Sequence, residues 1–118
     1  MMNAVTDYTS SASKLKAMAH PARLHILDML RSGEICVCHI ERALDRRQAY
    51  VSQQLMILRD AGLVHPRKDG LQVYYRLADE QTAELLQLLY GPPKSDGITL
   101  LEDCNCPVCA TVLITDIA

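Results

Sequence analysis

The sequence predicts a mainly α-helical domain with one small β-hairpin, and three observations predict it. Apolar residues recur at helical spacing between Ser11 and Gly62, the period switches to two on either side of Asp69-Gly70, and helical spacing returns from Asp79 to Tyr90. The chain's 118 residues allow one modest core and no independent second one. Apolar residues make up 49% and charged residues 22%, ordinary globular usage that argues against disorder throughout. Phe and Trp are absent, so Leu and Met must fill the interior.

SASKLKAMA, residues 11–19, places Leu15 and Met18 three apart among good helix formers and stops at His20-Pro21, giving a first helix. Pro21 suits the first position of a second helix, PARLHILDMLR. Leu24, Ile26, Leu27 and Leu30 supply its core positions and Ser32-Gly33 ends it. A short helix over Val37 to Leu44 leads into the polar turn LDRRQ. The longer helix in QAYVSQQLMILRDAG follows, with Val51, Leu55 and Leu58 on one face, Ala49, Ser52 and Gln53 toward the other, and Gly62 at its end.

LVHPRKDGLQVYYRL then alternates apolar and polar residues around Asp69-Gly70, a dipeptide suited to a two-residue hairpin turn, which would put Arg67 and Lys68 at the tip. The last helix, DEQTAELLQLLY, opens with acids that suit a helix N-terminus. It carries Leu85, Leu86, Leu88 and Leu89, too many apolar residues for one buried stripe, and so calls for a second helix as partner. GPPKSDG, residues 91–97, reads as a linker. The chain therefore divides into a helical domain with the hairpin over 1–92 and a cysteine-containing tail over 93–118, to which the pattern assigns no structure.

This order of elements is that of a winged helix-turn-helix, whose longer helix enters the major groove of double-stranded DNA while the hairpin touches the flanking backbone. A net charge of −2 provides no global attraction to DNA, so binding must rest on a local basic face. Arg46 and Arg47 before the longer helix, with Arg67 and Lys68 on the hairpin, are candidates to neutralise phosphates. Gln48, Ser52 and Gln53 offer hydrogen-bonding groups to base edges, and Tyr50 suits a phosphate or a thymine methyl. The competing reading of each is a solvated polar side chain on an exposed face.

LDRRQAYVSQQLMILRDAGLVHPRKDGLQVYYRL, and VSQQLMILRDAGLV followed by VYYRL in particular, resembles the core signature of the ArsR/SmtB family of metal-responsive repressors. MAHPARLHILDMLRSGEICVCHI is similar to that family's second helix and its CVC-bearing third helix, and the match spans about residues 14–90. The resemblance implies a homodimer built from the first and last helices and bound to a palindromic operator. Gln53-Gln54 replaces the histidine that this family often carries after the serine, so the operator sequence does not carry over.

Five cysteines in a chain without an export signal or a membrane-length apolar run point to a cytoplasmic protein using thiols for metal binding or redox sensing. Cys36 and Cys38 form a C-x-C pair; on an ideal helix two such residues are turned about 200° apart, so joint chelation would require the start of the third helix to unwind. The resemblance implies that this CVC binds arsenite in some members, and cadmium or lead together with other cysteines in others. The third cysteine of the arsenite pattern is Glu41 here, and His39 or Glu41 would be harder ligands. Further sulfur lies in DCNCPVC, where Cys104, Cys106 and Cys109 stand at C-x-C-x2-C. Three thiolates suit As(III) or Sb(III), and four suit Zn(II), Cd(II) or Pb(II), in one shared site or two.

Other uses of the cysteines compete. A free cysteine often serves only as a small buried apolar residue, which fits Cys36 between Ile35 and Val37. A disulfide within or between the clusters would make a redox switch. CPVC has the spacing of thioredoxin-like motifs but no βαβ context, and the four histidines form no catalytic arrangement, so no enzyme is expected. The last helix has no histidine, which leaves the zinc site that some family members carry there without its ligands. The expectation is a homodimeric repressor that binds its operator when metal-free and leaves when As(III), Sb(III) or another soft metal ion binds its thiolates.

Overall fold

The computed structural model describes residues 7–93, so the expectations placed on Cys104, Cys106 and Cys109 lie outside the described residues. Eight elements follow in chain order: α1 (Tyr8–Met18), α2 (Pro21–Leu30), β1 (Ile35–Cys36), α3 (Val37–Leu44), α4 (Gln48–Asp60), β2 (Val64–Asp69), β3 (Gln72–Leu77) and α5 (Glu80–Tyr90). Every expected helix forms. α1 starts three residues before the expected Ser11 because the Asp7 carboxylate accepts the Ser10 amide at 3.0 Å, an N-cap that apolar spacing does not reveal. Pro21 opens α2, where His20 Nδ1 accepts the Ala22 amide at 3.2 Å. Asp79 caps α5 by accepting the Thr82 amide at 3.0 Å and the Thr82 hydroxyl at 2.8 Å.

The sheet has three antiparallel strands in the order β1-β3-β2, one more than the hairpin expected. β1 consists of two residues, Ile35 opposite Tyr75 and Cys36 opposite Tyr74. A second correction concerns the hairpin turn. Asp69 pairs with Gln72, so the loop is Gly70-Leu71 and not Asp69-Gly70. Gly70 takes φ +63 at the first loop position, where an L side chain is disfavoured. Arg67 and Lys68 consequently sit within β2, opposite Tyr74 and Val73, while Leu71, 99% exposed, forms the tip.

The core joins Ile26 and Leu27 of α2, Ile40 of α3, Val51, Leu55 and Leu58 of α4, Leu63, Val64 of β2 and Leu86 of α5. Each such side chain contributes about 1.5–3 kcal/mol by leaving water. α4 is thus held along its inner face by α2 and α3, and its outer face is fixed in direction. On α5, Leu86 turns inward while Leu88 and Leu89 remain 85% and 62% exposed; Leu15 and Tyr8 of α1 are exposed too. That apolar face matches the leucine surplus read from the sequence.

Candidate nucleic-acid interface and thiol pair

α3 ends at Asp45, which adopts the left-handed region at φ +52 and turns the chain sharply into α4. Gln48, Ala49, Ser52, Gln53 and Met56 lie exposed on the outer face of α4, opposite Val51, Leu55 and Leu58. Three of the expected base-reading residues therefore share one stripe. Gln54 points the other way: it is buried and accepts a hydrogen bond from Arg23 Nη1 at 2.9 Å, while Arg23 Nε donates to the Ala17 carbonyl. This contact fixes α4 against α2 and was missed in the sequence, although Gln54 sits three residues after Val51 and beside Leu55, on the inward side.

Arg46 and Arg47 lie exposed in the turn before α4. The Arg46 guanidinium stands 4.7 Å from the centroid of the Tyr50 ring, which is half-buried against the core and serves as a platform for that charge. On the hairpin Lys68 is exposed. Arg67 is engaged within the protein. It forks onto Glu34, with Nε 3.0 Å from both carboxylate oxygens and Nη2 2.6 Å from one, and lies 4.7 Å from the Tyr74 centroid. The hydrogen bond from Arg67 holds the Glu34 carboxyl below the usual carboxylate range.

Cys36 is buried and precedes α3 as its N-cap residue, with extended backbone at φ −78 and ψ 155. It is therefore not on the helix, and the expected obstacle to joint chelation changes. Cys36 is bound up instead in the pairing of β1 with β3, directly ahead of the first turn of α3. Cys38 lies in that first turn, half-buried, with Sγ donating to Gln72 Oε1 at 3.9 Å. Its side chain lines a cleft of about 330 Å³ between α3, α4 and the hairpin, together with Glu41, Gln48, Ser52 and Gln72. Glu41 thus shares a cleft with Cys38. His39 does not line it; it is buried, and burial pushes its imidazole below the ordinary value.

Among the described residues no three His, Cys, Asp or Glu side chains converge as metal ligands. The Cys36 and Cys38 pair offers two sulfurs, so a three-sulfur site needs at least one more from Cys104, Cys106 or Cys109. Also among the described residues, no helix is long and apolar enough to cross a membrane.

Two helices joined by a tight turn, the second with an outward polar stripe and followed by an antiparallel hairpin, define a winged helix-turn-helix DNA-binding domain. Residues 20–65 match the bacterial regulatory protein, arsR family. The chain is 46% identical over 83 residues to the biofilm growth-associated repressor of Agrobacterium fabrum, covering 70% of this chain and 71% of that one. Its structure is similar to that of HlyU from Vibrio cholerae, with a TM-score of 0.67 at 36% identity over 70% of this chain and 89% of that one. It is similar also to a homodimeric winged helix-turn-helix DNA-binding domain from Mycobacterium bovis, with a TM-score of 0.64 at 35% identity over 75% and 86%. The chain belongs to the arsR family, whose members are DNA-binding transcriptional regulators and not enzymes.

Proposed function

We propose that this regulator is a homodimeric repressor that seats α4 in the major groove of operator DNA and is released when a soft metal or metalloid ion binds its cysteine thiolates. As(III) or Sb(III) is the leading effector, with Cd(II), Pb(II) or Zn(II) as the alternative ions. One observation carries the reading: Cys36 belongs at once to the strand that pairs with the hairpin and to the start of α3, the helix that packs on α4. Ligation that draws Cys36 toward Cys38 changes the support of both DNA-facing elements.

The outward stripe of Gln48, Ser52 and Gln53 supports base reading, and Arg46, Arg47 and Lys68 support phosphate contact. Tyr50 acts through Arg46, and Arg67 acts once its contact with Glu34 is exchanged for a phosphate. The exposed leucines of α5 support a two-fold dimer, the geometry that places two α4 helices on successive half-sites. Because the ion binds one state better than the other, it lowers DNA affinity, and DNA lowers ion affinity by the same factor.

A second reading, a thiol-redox switch, rests on the same cysteines, with Cys36 and Cys38 two free thiols two positions apart. Two thiols suffice for a disulfide: peroxide takes two electrons and two protons from them and is reduced to water. Titrating the DNA-bound, full-length protein with arsenite, cadmium and peroxide separates the readings. Release by arsenite or cadmium under reducing conditions supports the first, release by peroxide alone supports the second, and no release by any of them contradicts both.

A further inference from the structure

The register of the sheet places three side chains in one row: Cys36 opposite Tyr74, and Tyr74 opposite Arg67. Directly opposed residues share a face of the sheet. Arg67 uses this position to lay its guanidinium over the Tyr74 ring, and its fork meets Glu34 at the entrance to β1. A second carboxylate, Asp69, lies 3.5 Å from Nη1. Guanidinium recognises carboxylate and phosphate through the same planar pair of N–H donors. Glu34 therefore fills the face that a DNA phosphate would use. The Arg67 side chain is 49% exposed, so a phosphate can reach it, and that of Glu34 is 27% exposed.

We propose that Glu34 is an intramolecular competitor for Arg67, which must give up the guanidinium before the wing can neutralise a phosphate, so that Glu34 holds DNA affinity below what the wing's basic residues would supply. The inference rests on the reading of the hairpin as a backbone-contacting wing. Its physical basis is charge accounting. With Glu34 in place the pair carries no net charge toward DNA, and Asp69 adds a further carboxylate beside it. With Glu34 neutralised, Arg67 keeps its seat on Tyr74 with Asp69 still 3.5 Å away, and the wing gains one unit of positive charge toward the duplex. A single further phosphate contact steepens the dependence of log affinity on log salt by about 0.9.

The test uses the reduced, full-length protein and mixed-sequence duplex DNA, because the phosphate contribution does not depend on sequence. Wild type, Glu34→Gln, Arg67→Ala, the double variant and Glu34→Gln combined with Arg47→Ala are titrated over a range of salt, with thermal melts confirming that each is folded. Glu34→Gln is expected to bind about three- to tenfold more tightly at low salt and to steepen the slope by about one. Arg67→Ala in that background is expected to remove both gains. Unchanged or weaker binding by Glu34→Gln overturns the proposal, as does an equal gain when Arg67 is absent, since Glu34 would then act by its own charge. If Arg67→Ala leaves the slope of Glu34→Gln unchanged while Arg47→Ala flattens it, α4 still binds DNA and the wing reading itself fails.

Discussion

Cys36 stands directly across from Tyr74 where β1 pairs with β3, and in the same step the chain enters α3. The thiol lies at the junction between the sheet and the helix behind α4, one residue before that helix begins. Chemistry at that sulfur meets a strand of only two residues, the shortest pairing in the fold. The two cysteines should separate in their effects. Cys36→Ser puts a hydroxyl where 2% of the residue is exposed and should lower unfolding free energy by about 1–3 kcal/mol. Cys38→Ser, at a half-buried site, should change it by less than about 0.5 kcal/mol. Chemical denaturation reads the difference, and both variants should lose the effector response.

Arg47 lies exposed immediately before α4. Arg47→Ala should weaken binding to all sequences alike and flatten the salt dependence by about one unit of slope. Gln53→Ala should instead cost about 1–3 kcal/mol on the preferred operator and leave mixed-sequence binding unchanged. Anisotropy titrations on both duplexes distinguish phosphate contact from base reading; a uniform loss in Gln53→Ala would move that residue to the phosphate set.

Leu88 and Leu89 expose more apolar surface than a helix in a finished core would leave, at 85% and 62%. Leu88→Glu should convert the dimer to monomer in sedimentation equilibrium and abolish cooperative occupancy of two half-sites. A dimer of undiminished affinity would place the interface elsewhere.

Acid should loosen α5. The Thr82 amide first, then the Thr82 hydroxyl and the charge of Lys14, hold the Asp79 carboxyl below its ordinary range. A carboxyl lowered in the folded state stabilises the fold above its unfolded-chain value, and that contribution is lost as pH falls through the folded value. Asp79→Ala should remove about 1 kcal/mol of cap stabilisation at neutral pH. The gap between wild-type and variant melting temperatures should close as pH is lowered through and below the ordinary aspartate range; a gap that stays constant would show that the charge of Asp79 contributes nothing.

Local signals in the sequence account for most of the fold. Pro21 opens α2, Asp79 caps α5, the apolar positions of α4 fix which side faces outward, and the change of period after Gly62 marks the hairpin. What escaped is non-local. β1 has no periodicity of its own and forms because β3 offers an edge to Ile35 and Cys36. The hairpin turn falls at Gly70-Leu71 because cross-strand pairing from Val64–Leu77 through Asp69–Gln72 sets the register, overriding the preference of the Asp69-Gly70 dipeptide. Arg67 meets Glu34 across 33 positions of sequence, and Gln54 meets Arg23 across 31, separations at which residue spacing carries no information. The outward polar stripe of α4 was therefore legible, while the partners of Gln54 on its inner side and of Arg67 on the hairpin were not.

The most direct test compares the operator affinity of the fully reduced, full-length dimer with and without arsenite, using a duplex selected from random sequence and repeating the pair with cadmium. Ligation at Cys36 and Cys38 predicts a loss of affinity of about 5- to 150-fold, absent when both are replaced by Ser. A loaded dimer that holds the duplex as tightly as the empty one would contradict the account.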